Sequence, residues 1–560
     1  MTATGVADQA TALYADLPAH GRRLRVVVLL DRLLVPAWLA ETLAALTTTG
    51  ACELVALLQV PLPPAAAPRG ALAAFLRLDA RLAGSARRAT ASVDLRTRLP
   101  ALPLHAVPAV ERAGRLELDA QGCALVRGLD ADVLLGFGLP PAAADLAALA
   151  TRASWFFERD ATDGHGHGLR HLAPLWRGEV TSAGGIVVHD GADWRWLGVD
   201  HSATAQLSFA RNRACQLLRV PATLARLLRE LARGHAPPAA PPPTFAAPGA
   251  LALGGFVLRL LWRAARRHLP RLGRAEDWLL AARCGTPLDP RQPQAADWQL
   301  LATPAGRFWA DPSLVEHDGR RWLFVEECPH ATRRGRIAVA ELDAALRPQQ
   351  AQVVLDLAWH LSYPLVYRWD DAWWLSVESS AARNFVLYRA LDFPARWEPV
   401  AELVRGRNVV DGTLHHDGRH WYLFACISES PLDVDRRVWT DLFLFVADTP
   451  LGPWRAHPAN PLLSDVRRAR PAGKLFMHEG RLIRPAQDCS VEYGYAVVFN
   501  EVTRLDPEHY AERALGRIEP DWRHGLRGCH TYSAAAGVEI IDAKRLVARW
   551  RQRAIAEERT

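Results

Sequence analysis

The chain predicts two folds in series: an α/β domain on a parallel, doubly wound sheet, then an all-β five-bladed propeller. Apolar runs of strand length alternate with helical patterns in the first part. A proline-rich break, "HAPPAAPPPTFAAPG", follows at 235–249. After it, one hairpin pattern returns at intervals of about fifty residues.

At 560 residues the chain exceeds what one core supports. Half of it is apolar, yet no run reaches the length of a membrane span. The opening "MTATGVADQATALYADLPAHGRRL" lacks a basic start followed by an apolar stretch, so no secretory signal is expected. The eight cysteines are scattered and none forms Cys-x-x-Cys. That argues against a zinc site or a disulfide framework and predicts a cytoplasmic setting. The net charge of +7 is almost wholly arginine, with Lys474 and Lys544 the only lysines. Heavy use of Ala, Arg and Pro beside two methionines reads as base bias in the gene. A basic surface without a nucleic-acid partner is therefore expected.

Residues 20–234 form the first predicted domain. "LRVVVLL" (24–30) reads as a buried strand, "PAWLAETLAAL" (36–46) as a helix, and "CELVALLQV" (52–60) and "ADVLLGFG" (131–138) as further strands. No Gly-x-Gly-x-x-Gly follows the first strand, so a dinucleotide fingerprint is absent. "LWRGEVTSAGGIVVHDG" (175–191) and "SFARNRACQLLRVPATLARLLREL" (208–231) resemble the formyltransferase family. That family implies an Asn, a His and an Asp for acyl transfer. The matching stretch here, "SWFFERDATDGHGHG" (154–168), has no Asn and carries His165 and His167 in a Gly-rich loop. The expectation is a degenerate formyltransferase-like domain with a structural or acceptor-binding role.

Beyond the 235–249 linker, 250–290 reads as a basic amphipathic helical segment. In "LALGGFVLRLLWRAARRHLPRLGRA" (251–275) apolar residues recur at helical spacing, with Arg259, Arg263, Arg266 and Arg267 on the other faces. Such a helix either packs its apolar stripe on a neighbouring domain or makes peripheral membrane contact.

The propeller spans 297–545. "RFWADPSLVEHDGRRWLFVEE" (307–327), "HLSYPLVYRWDDAWWLSVESS" (360–380), "NVVDGTLHHDGRHWYLFACIS" (408–428) and "RPAGKLFMHEGRLIRPAQDCS" (470–490) are each an extended run, an acidic turn and a return. The turns are marked by Asp318, Asp370, Asp417 and Glu479. A third strand follows each hairpin, and "CHTYSAAAGVEIID" (529–542) starts a fifth unit that "DWQLLATP" (297–304) is expected to close. A hairpin returns to the side it began on, so the start of its first strand and the end of its second share one face. One mouth of the channel should therefore collect Asp311, Glu327, Tyr363, Glu378, Asp411, Arg470, Arg484, Asp488 and His530. Singly, each acid here also reads as a turn cap.

These motifs, from "ADPSLVEHDGRRWLFVEE" to "RPAGKLFMHEGRLIRPAQDCSVEYGYAVVFNEV", resemble the family named for the N-terminal domain of plant glucosamine inositolphosphorylceramide transferase. That domain is similar to the five-bladed propellers of furanosidases. The resemblance implies catalytic carboxylates at Asp311 and Asp411, with Gly412 where proline is usual. It also implies a Glu general acid in blade four, where "RARPAGK" (468–474) offers Arg470 instead. Glu327 or Glu378 would have to substitute.

Arginines beside carboxylates suit another donor. Arg470 and Arg484 are expected to grip the phosphate or nucleotide leaving group of an activated sugar, which departs as an anion and needs no proton. Asp311 then serves as base for a hydroxyl of a glycan or lipid-linked acceptor, while Asp488, Tyr363 and His530 line the substrate. Two alternatives stay open: a furanosidase-like hydrolase, needing a Glu about 5–10 Å from Asp311, and a non-catalytic glycan-binding propeller. No cofactor or metal is expected, and the setting is cytoplasmic or at the inner face of a membrane.

Overall fold

The computed structural model describes residues 10–17, 23–62, 70–158, 169–293, 297–429 and 439–548, so His165 and His167 lie outside the described residues. The chain divides into two compact units. One comprises 16–266 with 429–435; the other comprises 1–15, 267–428 and 436–560.

In the first unit Leu24–Leu30 lies between Cys52–Gln59 and Val133–Phe137, parallel to both. Leu104–Ala106 and Ala153–Phe157 continue the sheet in parallel on either side. The chain thus winds outward one way, then returns to start the other half, as a doubly wound sheet requires. Val26 to Leu30 are buried with helices and loops on both faces, which is why this strand is apolar without alternation. Ile186–His189, Trp194–Leu197 and Ala239–Ala240 add an antiparallel edge that the strand pattern did not reveal.

Three expected boundaries move. The proline-rich segment is not wholly a linker, because Ala239–Ala240 pairs with Trp196 and Leu197. An edge strand tolerates neighbouring prolines, whose missing N–H breaks no ladder. The helix expected in 250–290 runs Ala250–His268, packs within the first unit, and gives way to the strand Arg274–Cys284. That strand belongs to the propeller, which therefore begins at Arg274 rather than at 297.

The second unit is a five-bladed propeller. Blade one runs from Arg307–His317 to Gln352–Leu355, blade two from Ser362–Trp369 to Arg396–Val404, blade three from Val409–His416 to Arg455–Ala456, and blade four from Phe476–His478 to Tyr510–Ile518. Asp318, Asp370, Asp417 and Glu479 all sit in the turn between a blade's first two strands. Asp318, Asp370 and Glu479 have φ near +50°, a conformation that short polar side chains tolerate in tight turns. Blade five is shared by the first and last strands of the propeller. Tyr532–Ala535 and Val538–Ala548 are its inner strands, Arg274–Cys284 pairs with Val538–Ala548 along eleven residues, and Gln299–Leu300 forms the rim.

This closure joins strands more than 250 residues apart in sequence, so it should be the last part of the ring to be satisfied. Deleting residues 538–560 removes the strand that Arg274–Cys284 pairs with. The expected outcome, by circular dichroism melting, is loss of cooperative unfolding of the propeller; a single sharp transition would contradict the closure.

Candidate functional site

The inner strands of blades one to three share one backbone device in their first halves. Asp311, Tyr363 and Asp411 have φ of +50°, +52° and +53°, each at a bulge where the hairpin register slips. The bulge turns the residue's N–H toward a carboxylate on the preceding blade. Asp311 N–H donates to Asp542 Oδ2 at 3.1 Å, Tyr363 N–H donates to Asp311 Oδ2 at 3.1 Å, and Asp411 N–H donates to Glu378 Oε2. The acids at the channel mouth therefore join blade to blade before they do any chemistry.

The second strands supply the next level of the ring. Glu326 pairs with Ala310, Glu378 with Ser362 and Cys426 with Val410, while Gln487 N–H donates to Arg470 O at 2.7 Å. Arg470 grips Asp411 through Nε and Nη2, and Gln487 Nε2 donates to Asp411 Oδ2 at 2.6 Å. The Arg470 guanidinium lies 4.9 Å from the Tyr493 ring centroid.

Blade five completes the mouth with a line of three buried groups. His530 Nδ1 lies 2.6 Å from Asp542 Oδ2, and its Nε2 is 3.5 Å from Asp311 Oδ1. Thr531 Oγ1 donates to Asp311 Oδ1 at 2.9 Å. Trp278 stacks on the His530 ring at 4.1 Å, and Tyr493 meets it edge-on at 5.4 Å. Asp311, His530 and Asp542 bring ligand atoms within 4.8 Å of one another. With both imidazole nitrogens facing carboxylates, the group suits a proton relay better than a metal.

Burial pushes the Asp311 carboxyl up to about 8; Glu326, Asp542 and Asp411 add to the rise and His530 opposes it. Burial, then Asp411, also lifts Glu378 well above the usual carboxylate range, against Arg470. For His530 burial disfavours the charged ring, but Asp542 and Asp311 outweigh it and raise its pKa. Arg470 serves Asp411 rather than the expected base, and Asp311 is one of the carboxyls pushed up.

The fold thus brings Asp311, Glu378, Asp411, Arg470 and His530 together. Tyr363 reaches the same channel from below the mouth. Its side chain is fully buried, and its phenol contacts Thr413 Oγ1 at 3.0 Å and accepts from Gly473 N–H at 2.6 Å. A side chain on Gly473 would meet Tyr532 O at 2.0 Å, so glycine is required at this crossing.

Three expected residues lie elsewhere. Glu327 points to the far face of its strand, where Arg307 at 3.0 Å, Arg336 at 2.8 Å and Trp309 Nε1 at 3.1 Å hold it. Asp488 caps Ser490 N–H and faces Arg517 at 3.3 Å. Arg484 is fully buried against Glu512, with contacts at 2.8 and 2.9 Å. In two of these cases the sequence neighbour takes the channel position, Glu326 for Glu327 and Gln487 for Asp488.

Asp542, Trp278, Tyr493 and Gln487 were not anticipated. The one legible signal was an acid, Asp542, inside the apolar run "VEIIDA". Gly412, standing where proline was expected, has a local cause: a side chain there would come within 2.6 Å of the Phe385 ring.

The opposite mouth differs in chemistry. A cavity of about 390 Å³ opens there among the later halves of the inner strands, with Tyr367, Trp373, His415, Trp421 and Lys474 on its wall. The Lys474 amine donates to Val366 O at 2.6 Å, and burial lowers its pKa to about 8. This cavity does not hold the carboxylates.

Residues 296–528 match the family model described as Glucosamine inositolphosphorylceramide transferase 1, N-terminal. Proteins named Glucosamine inositolphosphorylceramide transferase 1 from Oryza sativa subsp. japonica and Arabidopsis thaliana are 32% and 31% identical over 209 residues. The propeller is similar to a segment of these transferases. The match covers 37% of this chain and 27% of each relative, so most of their length has no counterpart in the alignment. Among solved structures, Zg3597, a family 117 glycoside hydrolase from Zobellia galactanivorans, is 10% identical with a TM-score of 0.32, covering 48% of this chain and 90% of that one. The GH43_1 enzyme from Xanthomonas citri is 12% identical with a TM-score of 0.32, covering 43% and 87%. Likeness this distant bears no weight on activity.

A buried ion pair broken on one side leaves an uncompensated charge. Arg484→Ala should destabilise the propeller by about 3–5 kcal/mol, read as a lower urea midpoint, because Glu512 loses its partner. A stable variant that had only weakened sugar binding would return Arg484 to the site.

Proposed function

We propose that the chain is a glycosyltransferase of glycolipid or surface-glycan assembly, with the reacting sugar held at the carboxylate mouth. The observation that carries this reading is the buried line Asp311–His530–Asp542 under the Trp278 and Tyr493 rings. The name of the matched relatives supports transfer rather than hydrolysis. A sugar carbon bearing a phosphate-type leaving group would be attacked by an acceptor hydroxyl. The new bond joins acceptor oxygen to anomeric carbon, the old carbon–oxygen bond breaks, and its electron pair leaves with the phosphate. The hydroxyl proton passes to Asp311. A base with a pKa near the operating pH is the efficient choice for that step. His530, bridged to Asp542, favours the ionised form of Asp311 that exists before the proton arrives.

The expected phosphate grip is reassigned. Arg484 is spent on Glu512, and Arg470 meets a donor only if the donor competes with Asp411. One specific observation favours hydrolysis as a second reading: Glu378 carries a raised pKa on the same channel and interacts with Asp311. Both its oxygens already accept, from Ser362 Oγ at 3.0 Å and from Asp411 N–H, which ranks it below transfer.

The pH dependence follows from the sign of the shift. A base is active when deprotonated, so kcat/KM for transfer should rise with pH and level off above about 8. Asp311→Asn should lower transfer about a hundredfold or more with the fold intact, since an amide can still accept from Tyr363 N–H and donate to Thr531. Assays with nucleotide-sugar and lipid-phosphate-sugar donors check both. Full activity of Asp311→Asn would make the mouth a sugar-binding surface only, and aryl-furanoside cleavage without transfer would favour hydrolysis.

A further inference from the structure

Helix Ala250–His268 carries apolar residues on two sides, and the fold uses only one. Leu253, Phe256 and Leu260 pack against Phe75, Trp176 and Phe245. The other stripe, Leu251, Leu258, Leu261 and Trp262, continued beyond the helix by Leu269 and Leu272, is 59–96% exposed. From Leu251 these helical positions fall at i, i+7, i+10 and i+11, so they share one face. Scattered surface leucines need no explanation, but a contiguous stripe with Trp on a single helix does.

Charge decides what covers it. No Asp or Glu occurs between 250 and 275. Arg259 and Arg266 are exposed beside the stripe, and the Arg266 guanidinium lies 4.8 Å from the Trp262 ring. Arg263, on the packed side, donates to Leu175 O at 2.6 Å and anchors the helix there. An apolar stripe flanked by exposed arginines, with no acid, complements a surface that offers acyl chains below a layer of negative headgroups. Among the described residues no helix is long and apolar enough to cross a membrane, so the contact is with its face.

We infer that Ala250–His268, extended to Leu272, is an interfacial helix that lays Leu251, Leu258, Leu261 and Trp262 into an anionic lipid bilayer. It would hold the chain where a lipid-linked acceptor is found. The inference rests on the helix alone and survives if the glycosyl-transfer reading fails.

The test is flotation of the full chain with vesicles of phosphatidylcholine alone or with about a third phosphatidylglycerol. The chain should float with the anionic vesicles, and raised salt should weaken binding. The double substitution Leu258→Glu and Trp262→Glu should cut the bound fraction at least tenfold. Both side chains are solvent-exposed, so the melting temperature should not move. Arg259→Gln with Arg266→Gln should reduce binding to anionic vesicles and leave the weak binding to neutral ones unchanged. No flotation of the native chain, or equal flotation of the Leu258 and Trp262 variant, overturns the inference. So does a concentration-dependent dimer abolished by that variant, because a second copy would then be the occupant.

Discussion

The propeller depends on a hydrogen bond that recurs from blade to blade. An inner strand carries a bulge in its first half, the bulged residue takes a positive φ, and the N–H thus exposed donates to a carboxylate on the blade before. Left-handed backbone is mildly tolerated by Asp and costs more for Tyr, of order 1–3 kcal/mol where it is imposed. The ring imposes it at Asp311, Tyr363 and Asp411 alike. Because the acceptors are Asp542, Asp311 and Glu378, the acids of the mouth are fastened in place by the same contacts that close the disc. A site made this way is buried, and the Asp311 and Glu378 carboxyls are pushed above their solution values.

That origin explains which acids became chemically distinctive. Asp411 is satisfied by Arg470 and Gln487, which donate to it from blade four. Asp311 has only a hydroxyl, a backbone N–H and the far nitrogen of His530. Burial is thus poorly compensated at Asp311, and it pushes the carboxyl up to about 8. His530 is positioned from behind by Asp542 and covered by Trp278, so its orientation is not free to change.

Much of this was legible in the sequence. The hairpin turns declared themselves through Asp318-Gly319, Asp370-Asp371, Asp417-Gly418 and Glu479-Gly480, and their spacing marked four of the five blades because each needs the same turn. What failed was parity. Neighbouring residues on a strand point to opposite faces, and the bulge at Asp311 offsets the count between the two strands. A count that omits the bulge points Glu327 at the channel, where Glu326 lies, and Asp488, where Gln487 lies. Blade five was opaque for another reason: Trp278 comes from a strand that precedes blade one and reads, in isolation, as the tail of an amphipathic helix. Only its pairing with Val538–Ala548 decides otherwise. The antiparallel edge at Ala239–Ala240 was hidden by the prolines around it.

The central claim is that Asp311 is a carboxyl kept protonated by burial at neutral pH. In the unfolded chain its pKa is near 3.9, and in the fold it is pushed up to about 8. Between these values the folded state binds the extra proton, so this group lowers stability as pH rises. Asn does not titrate. The decisive measurement is the melting temperature of the native protein and of Asp311→Asn at steps from pH 4 to pH 8. The account predicts that the variant gains on the native protein steadily across that range and holds the gain above it. A difference that stays constant with pH, or one that turns against the variant as pH rises, would contradict it.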